Sequence, residues 1–167
     1  MVWAERGGAQ RRVCPDTGCG FVAWNNPAPV VGVIVEQDGH VILVRSRGWP
    51  EGYYGLVAGF IETGESPAEA ARREVAEEIG IVADNACYVG TYPFPERNQL
   101  IFVFHIVVPP TEIRLCEIEL ESYRAVPLDR VRPWSRGTGP ALRDWLAARG
   151  IHRDMVPFGQ HMNIDAD

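Results

Sequence analysis

Three glutamates, Glu74, Glu77 and Glu78, crowd the hexapeptide "REVAEE" at residues 73–78. Like charges at i,i+4 destabilise an isolated helix by about 0.2–0.5 kcal/mol per pair. At about 100° per residue, Glu77 falls about 60° to one side of Glu74 and Glu78 about 40° to the other. The three carboxylates therefore share one face, and Ala71, Val75 and Ile79 form an apolar stripe beside it. A solvated acidic face is the plain reading. Such faces usually interleave Lys or Arg, yet no basic residue lies between these glutamates, and Arg73 is placed to meet Glu69 and Glu77. Clustered carboxylate oxygens suit a hard divalent cation. Magnesium takes a few carboxylates and leaves room for waters and substrate phosphates.

The helix that must carry this cluster has clear punctuation. Ser66 is a good N-cap, Pro67 suits the first helical position, and Glu69 closes a capping box. Gly80 fits the position just past the end. The spacing predicts a helix over 67–79. Around it, "PVVGVIVEQDGHVILVRS" (29–46) reads as a hairpin turning at Asp38-Gly39, and "GYYGLVAGF" (52–60) as a short strand entering a loop. "CYVGTYPF" and "QLIFVFHIVV" read as strands separated by a loop at 95–98. "EIRL" (112–115) and "SYRAVPL" (122–128) read as two more. "GPALRDWLAARG" (139–150) is a second helix with a Leu142, Trp145 and Leu146 stripe. Residues 1–13 are polar and glycine-containing and read as loose. This order is not a regular βαβ series and predicts an α+β fold.

The setting of the cluster is more specific than its charge. From Gly59 the chain reads "GFIETGESPAEAARREVAEEIGI". Gly59, Glu65, Arg73, Glu74, Glu77, Glu78 and Gly80, with aliphatic Val75 and Ile81, match the Nudix box at every fixed position. At average residue usage, seven fixed residues coincide at roughly one start in 10⁸. The chain thus resembles the Nudix hydrolase family. The resemblance implies a mixed β-sheet sandwiched between helices (α/β/α). It also implies hydrolysis of a nucleoside diphosphate linked to a second moiety, X. By position it gives Glu74, Glu77 and Glu78 as metal ligands, joined by the Gly59 carbonyl, with Glu65 pairing with Arg73 to orient them. Mg²⁺ or Mn²⁺ is the implied cofactor. Family members that bind nucleotides without hydrolysis supply the alternative, a sensing module.

A narrower likeness is to the NADH pyrophosphatase branch. It rests on "GYYGLVAGFIETGES", "CPDTGCGFVAWNNPAPVV", "YPFP" (92–95) and "IELESYRAVPLDRV". The last segment implies Glu119 as a further metal-binding glutamate. Before Pro-Phe-Pro the chain has "VGTY", where that branch has Ser-Gln-Pro-Trp. NADH or NAD⁺, ADP-ribose, other nucleotide-linked sugars and dinucleoside polyphosphates all stay open as substrates. Phe60, which follows the box glycine, is the first choice for stacking on a base. Tyr53, Tyr54 and Phe94 are expected near the same cleft, with core packing as the alternative. Arg45 and Arg47 end the second hairpin strand, either to reach phosphates or to be solvated. His105, in an apolar strand, reads as a core histidine.

The 167 residues suit one domain, and the formal net charge is −6. An acidic chain is a poor non-specific nucleic-acid binder, because that binding needs Lys and Arg on phosphates. A bound cation can still bring phosphate to an acidic site. No secretory h-region opens the chain, and the longest apolar run, "LIFVFHIVV", is too short to span a bilayer. The expectation is a cytoplasmic protein without membrane partners, and a homodimer by family resemblance. Cys14 and Cys19 alone do not complete a four-ligand zinc site, so structural Zn²⁺ is not expected there. Cys87 and Cys116 are isolated. The expected organisation is an N-terminal segment (1–28) with a remnant zinc-ribbon knuckle, a Nudix domain (29–150) and a tail (151–167).

Overall fold

The computed structural model describes residues 1–162. The last five residues of the expected tail lie outside the described residues. Three short antiparallel strands open the chain: β1 (Val2–Arg6), β2 (Ala9–Val13) and β3 (Val22–Ala23), in that spatial order. This corrects the expectation of a loose segment at 1–13. Gly7 and Gly8 both take positive φ, 59° and 76°, the geometry of a tight hairpin turn. The strands escape sequence reading because most of their side chains are exposed, so no inside–outside alternation marks them.

The main sheet contains β4 (Ala28–Gln37), β5 (His40–Ser46), β6 (Val57–Phe60), β7 (Cys87–Phe94), β8 (Gln99–Val108) and β9 (Leu120–Pro127). Its order is β7-β8-β4-β5-β9, with β6 paired to the first half of β4. β4 and β8 run parallel, from Ala28 opposite Gln99 to Gln37 opposite Val108; the other pairs are antiparallel. The β4–β5 hairpin turns at Asp38 and Gly39, as the dipeptide predicts.

Helix α1 (Pro67–Ile79) covers one face of the sheet and α2 (Gly139–Ala147) the other. β4 shows why its sequence is almost continuously apolar. Val31, Val33 and Val35 pack with Val75 and Ile79 on the α1 side, while Val30 and Ile34 pack with Leu142 and Leu146 on the α2 side. A strand buried on both faces loses its alternation. Gly32 lies between Val30 and Ile34, and a Cβ there would come within 2.9 Å of the Thr138 methyl carbon. Its bare backbone is what lets the start of α2 press onto the sheet. The result is the expected α+β sandwich. Among the described residues, no helix is long and apolar enough to cross a membrane.

Candidate metal centre and adjoining cavity

Helix α1 starts and stops where its caps dictate. The Ser66 hydroxyl accepts from the Glu69 N–H at 3.3 Å, and the Glu69 carboxylate accepts from the Ser66 N–H at 2.8 Å. Gly80 ends the helix at φ 71° and donates its N–H to the Ala76 carbonyl. The free carbonyls beyond are met by another segment. The N–H groups of Arg114 and Cys116 donate to the carbonyls of Ile79 and Glu78 at 3.0 and 2.9 Å. This explains why 112–115 is not the strand that its sequence predicts: its donors cap a helix instead of joining a ladder.

The same capping brings Glu119 into the neighbourhood. The Glu119 and Leu120 N–H groups both donate to the Cys116 carbonyl, and the Arg47 N–H donates to the Glu119 carbonyl at 2.8 Å. The Arg47 guanidinium also bonds the Glu117 carbonyl. Arg45 reaches Ser122 and Glu121 on β9, at 3.3 Å each. Both arginines therefore brace the Glu119 segment and β9, and neither lines the cavity described below.

Arg73 is the hub of the acidic face. Its Nε and Nη2 donate to the two Glu65 oxygens at 3.1 and 2.7 Å. Its Nη1 donates to Glu74 at 2.8 Å and Glu77 at 2.9 Å, and its Nη2 also donates to the Phe60 carbonyl at 2.9 Å. Glu65 in turn accepts from the Glu62 N–H. The Arg73 bonds hold Glu65 below the usual carboxylate range.

Glu74 and Glu78 are buried, 7% and 6% exposed, whereas the Glu77 side chain is 61% exposed. Burial pushes the Glu74 pKa up despite the Arg73 bond. It pushes Glu78 to about 8, with the Glu74 and Glu119 charges adding to the shift. Glu78 Oε2 is buried with no hydrogen-bond partner. A buried acceptor left bare costs about 1–3 kcal/mol.

Gly59 closes the arrangement. A Cβ there would stand 1.9 Å from Glu74 Oε1. Only glycine lets the β6 backbone lie against that carboxylate. An orphaned buried oxygen, mutually repelling carboxylates and a backbone pressed against them fit a divalent cation. Among the described residues the carboxylates are not drawn into a closed cage of three, and Arg73 holds two of them, Glu74 and Glu77.

Gly59 also lines a cavity of about 590 Å³, within the range of small-molecule sites. Phe60, 59% exposed, and Phe94 line it, so these two candidates and the acidic cluster meet across β6. Tyr54 does not line it. Its ring is core, its hydroxyl bonds the Ser122 hydroxyl at 2.9 Å, and its neighbour Tyr53 faces the cavity instead. Trp49, Trp134, Phe158, Arg97 and Arg136 also line the cavity, unforeseen from sequence. They come from loops, the tail and a single 3-10 turn at Pro95–Arg97, where no periodicity marks an inward side chain.

Two other sequence readings have a place here. His105 is buried and bonds Glu36 at 2.8 Å, away from the acidic cluster. Cys14 and Cys19 flank a turn in which Asp16 accepts from the N–H groups of Gly18 and Cys19.

Comparison with known proteins agrees with this geometry. A NUDIX domain profile matches residues 26–147. The chain is 36% identical over 133 residues to the mitochondrial NAD(P)H pyrophosphatase NUDT13 of Mus musculus, covering 77% of this chain and 37% of that protein. It is 34% identical over 120 residues to the NAD-capped RNA hydrolase NudC of Pseudomonas aeruginosa, covering 72% of this chain and 42% of that one. The chain thus spans about two fifths of the length of these curated relatives. A NUDIX hydrolase crystal structure from Nitrosomonas europaea has the same fold, with TM-score 0.73 and 23% identity over 92% of this chain and 89% of that one. The chain belongs to the NUDIX family.

Proposed function

We propose that this chain is a divalent-cation-dependent hydrolase that cleaves the pyrophosphate bond of a nucleoside diphosphate linked to X. The observation that carries the reading is the junction at Gly59. There a buried, under-bonded carboxylate cluster adjoins an aromatic-lined cavity with two arginines. The names of the relatives, an NAD(P)H pyrophosphatase and NAD-capped RNA hydrolases, favour dinucleotide-type substrates.

Glu74, Glu78 and Glu119, with the more exposed Glu77 and the Gly59 carbonyl, would hold Mg²⁺ or Mn²⁺. When bound, such a cation neutralises phosphate charge and acidifies an attacking water. The chain's own groups do the rest. Arg73 fixes the directions of Glu74 and Glu77 while Glu65 fixes Arg73, a positioning role. A carboxylate of the cluster takes the water's proton, and that proton belongs to the coupled set, not to one residue. Water adds to one phosphorus, the bridging P–O bond breaks, and two phosphomonoesters leave. Phe60 and Phe94 give flat surfaces for a base. A homodimer is carried by the family resemblance alone.

The test is a panel of NADH, NAD⁺, ADP-ribose, diadenosine polyphosphates and nucleotide sugars with Mg²⁺ or Mn²⁺, products separated by chromatography. Cleavage of at least one is expected. Glu78→Gln should lower kcat by about 10²–10⁴-fold with the fold intact by circular dichroism. Tight nucleotide binding with no cleavage would establish a sensing module instead. Wild-type turnover in Glu78→Gln would refute the site assignment.

A further inference from the structure

Residues 151–162 contain no helix or strand, yet their far end is anchored in the core. The Ser135 N–H donates to the Val156 carbonyl, and the Val156 N–H donates to the Pro133 carbonyl, at 3.0 Å each. The Gln160 N–H closes a turn onto the Pro157 carbonyl. Gly159 makes that turn possible. It has φ 95°, and a Cβ would lie 2.6 Å from the Tyr53 ring.

His161, 1% exposed, is the anchor. Its Nε2 lies 2.7 Å from the Tyr54 carbonyl and its Nδ1 accepts from the Gly159 N–H at 3.2 Å. A carbonyl can only accept, so Nε2 carries the proton, and the ring is neutral with both nitrogens satisfied. Burial lowers its pKa, which favours that form.

The anchored ring holds Phe158. His161 stacks on it at 5.3 Å and 10°, and Trp134 packs behind at 4.6 Å from His161. Tyr53 and Trp49 meet Phe158 edge to face, at 5.2 and 5.5 Å. Edge-to-face and stacked pairs are directional contacts, and several at once lock a ring's plane. Plain core packing would bury Phe158 as fully as His161. Instead it is only partly buried, and it lines the cavity that Phe94, beneath the Arg136 guanidinium, also lines.

We propose that Phe158 is a specificity-determining stacking wall for the aromatic ring of the substrate, and that His161 is the positioning residue that holds it. The inference rests on the hydrolase reading only in taking the cavity as the substrate's place. The ligand group is a flat nitrogen heterocycle, the adenine or the nicotinamide ring of a dinucleotide.

The test compares wild type with Phe158→Ala, Phe158→Tyr and His161→Phe, using NADH and ADP-ribose. KM and kcat are measured with Mg²⁺, and Kd by calorimetry. Phe158→Ala should raise KM and Kd about tenfold, the size of one lost base–aromatic stack, with kcat within about twofold. Phe158→Tyr should restore wild-type values. His161→Phe, which keeps a ring but loses both hydrogen bonds, should raise KM part of the way. A rise for both ligands places adenine on the wall; a rise for NADH alone places the nicotinamide ring there. Unchanged KM and Kd for both ligands in a folded Phe158→Ala protein would overturn the proposal.

Should Phe158→Ala not fold, amide exchange of wild type decides. The Gly159 and Gln160 amides should slow when ligand binds, and equal rates with and without ligand would sink the wall. Binding without cleavage refutes the hydrolase reading and leaves the wall standing. Cleavage with Phe158-independent KM and Kd does the reverse.

Discussion

The acidic and aromatic ends of the site meet at Gly59 but are built in opposite ways. The acidic end is mostly one helix. Glu74, Glu77, Glu78 and their clamp Arg73 lie within six residues, on a segment whose caps define its ends. Its groups are held in conflict: like charges side by side, one oxygen buried without a partner. The aromatic end draws on Trp49, Phe94, Trp134 and Phe158, which no single element carries. Its groups are mutually satisfied, ring on ring. A metal site is easily encoded locally, because i, i+3 and i+4 positions share a helix face. A pocket for a flat ring needs opposing walls, and opposing walls come from distant parts of the chain.

Breaking the electrostatic conflict should give the largest effect. Folded Glu78 keeps its proton up to about pH 8, against an ordinary value of 4.5. The folded state therefore binds more protons than the unfolded state in between, and stability falls as pH rises. In metal-free protein, Tm should drop by about 5 °C from pH 6.5 to 8. Glu78→Gln should flatten that slope, and an equal slope in the variant would detach it from Glu78. The histidines do not produce this trend. Burial lowers the pKa of His105 and His161, so their contribution is lost below their ordinary range.

The next effect separates the ends. Arg73→Ala frees Glu65, Glu74 and Glu77 at once, and turnover should fall by about 10–100-fold through loss of orientation. The calorimetric Kd of metal-free protein for NADH should stay near wild type, because Arg73 does not line the cavity. A parallel loss of both would show that the ends are one coupled unit. The smallest effect lies at the helix start. Ser66→Ala should cost about 1 kcal/mol in urea unfolding through the lost cap. The acidic face starts two turns further on, so KM for the best substrate should not move.

The contrast also accounts for what could be read from the sequence. The α1 boundaries, the β4–β5 turn and the acidic face were legible because each is written in residues close together. Ser66, Glu69 and Gly80 each satisfy or relax a backbone need of their own helix. Arg45, Arg47 and Tyr54 were placed near the cleft by proximity in sequence. Their actual partners, Glu121, Glu117 and Ser122, lie 68 to 76 positions further along the chain, on β9 or just before it, and β9 pairs with β5 in the sheet. Residues 112–115 look like a strand in composition, and nothing local shows that their N–H groups serve the end of α1. Phe158 and His161 sit in a stretch without period, and their importance comes from Tyr53, Tyr54 and Trp134, between 24 and 107 positions away.

The cap on α1 by residues 114 and 116 bears on how this chain tolerates changes in length. Glu119 is fastened to the acidic helix from one side and to Arg47 from the other. Upstream, Gln37 holds the carbonyls of Pro109 and Thr111. Between those anchors lies exposed Glu112. Extra residues inserted there lengthen a surface loop, and each doubling of a loop costs only about 0.6 kcal/mol. A single residue inserted between Cys116 and Glu119 would slide the carboxylate out of register with Glu74 and Glu78. Insertions are therefore expected to be tolerated at 112 and to disable the site between Cys116 and Glu119.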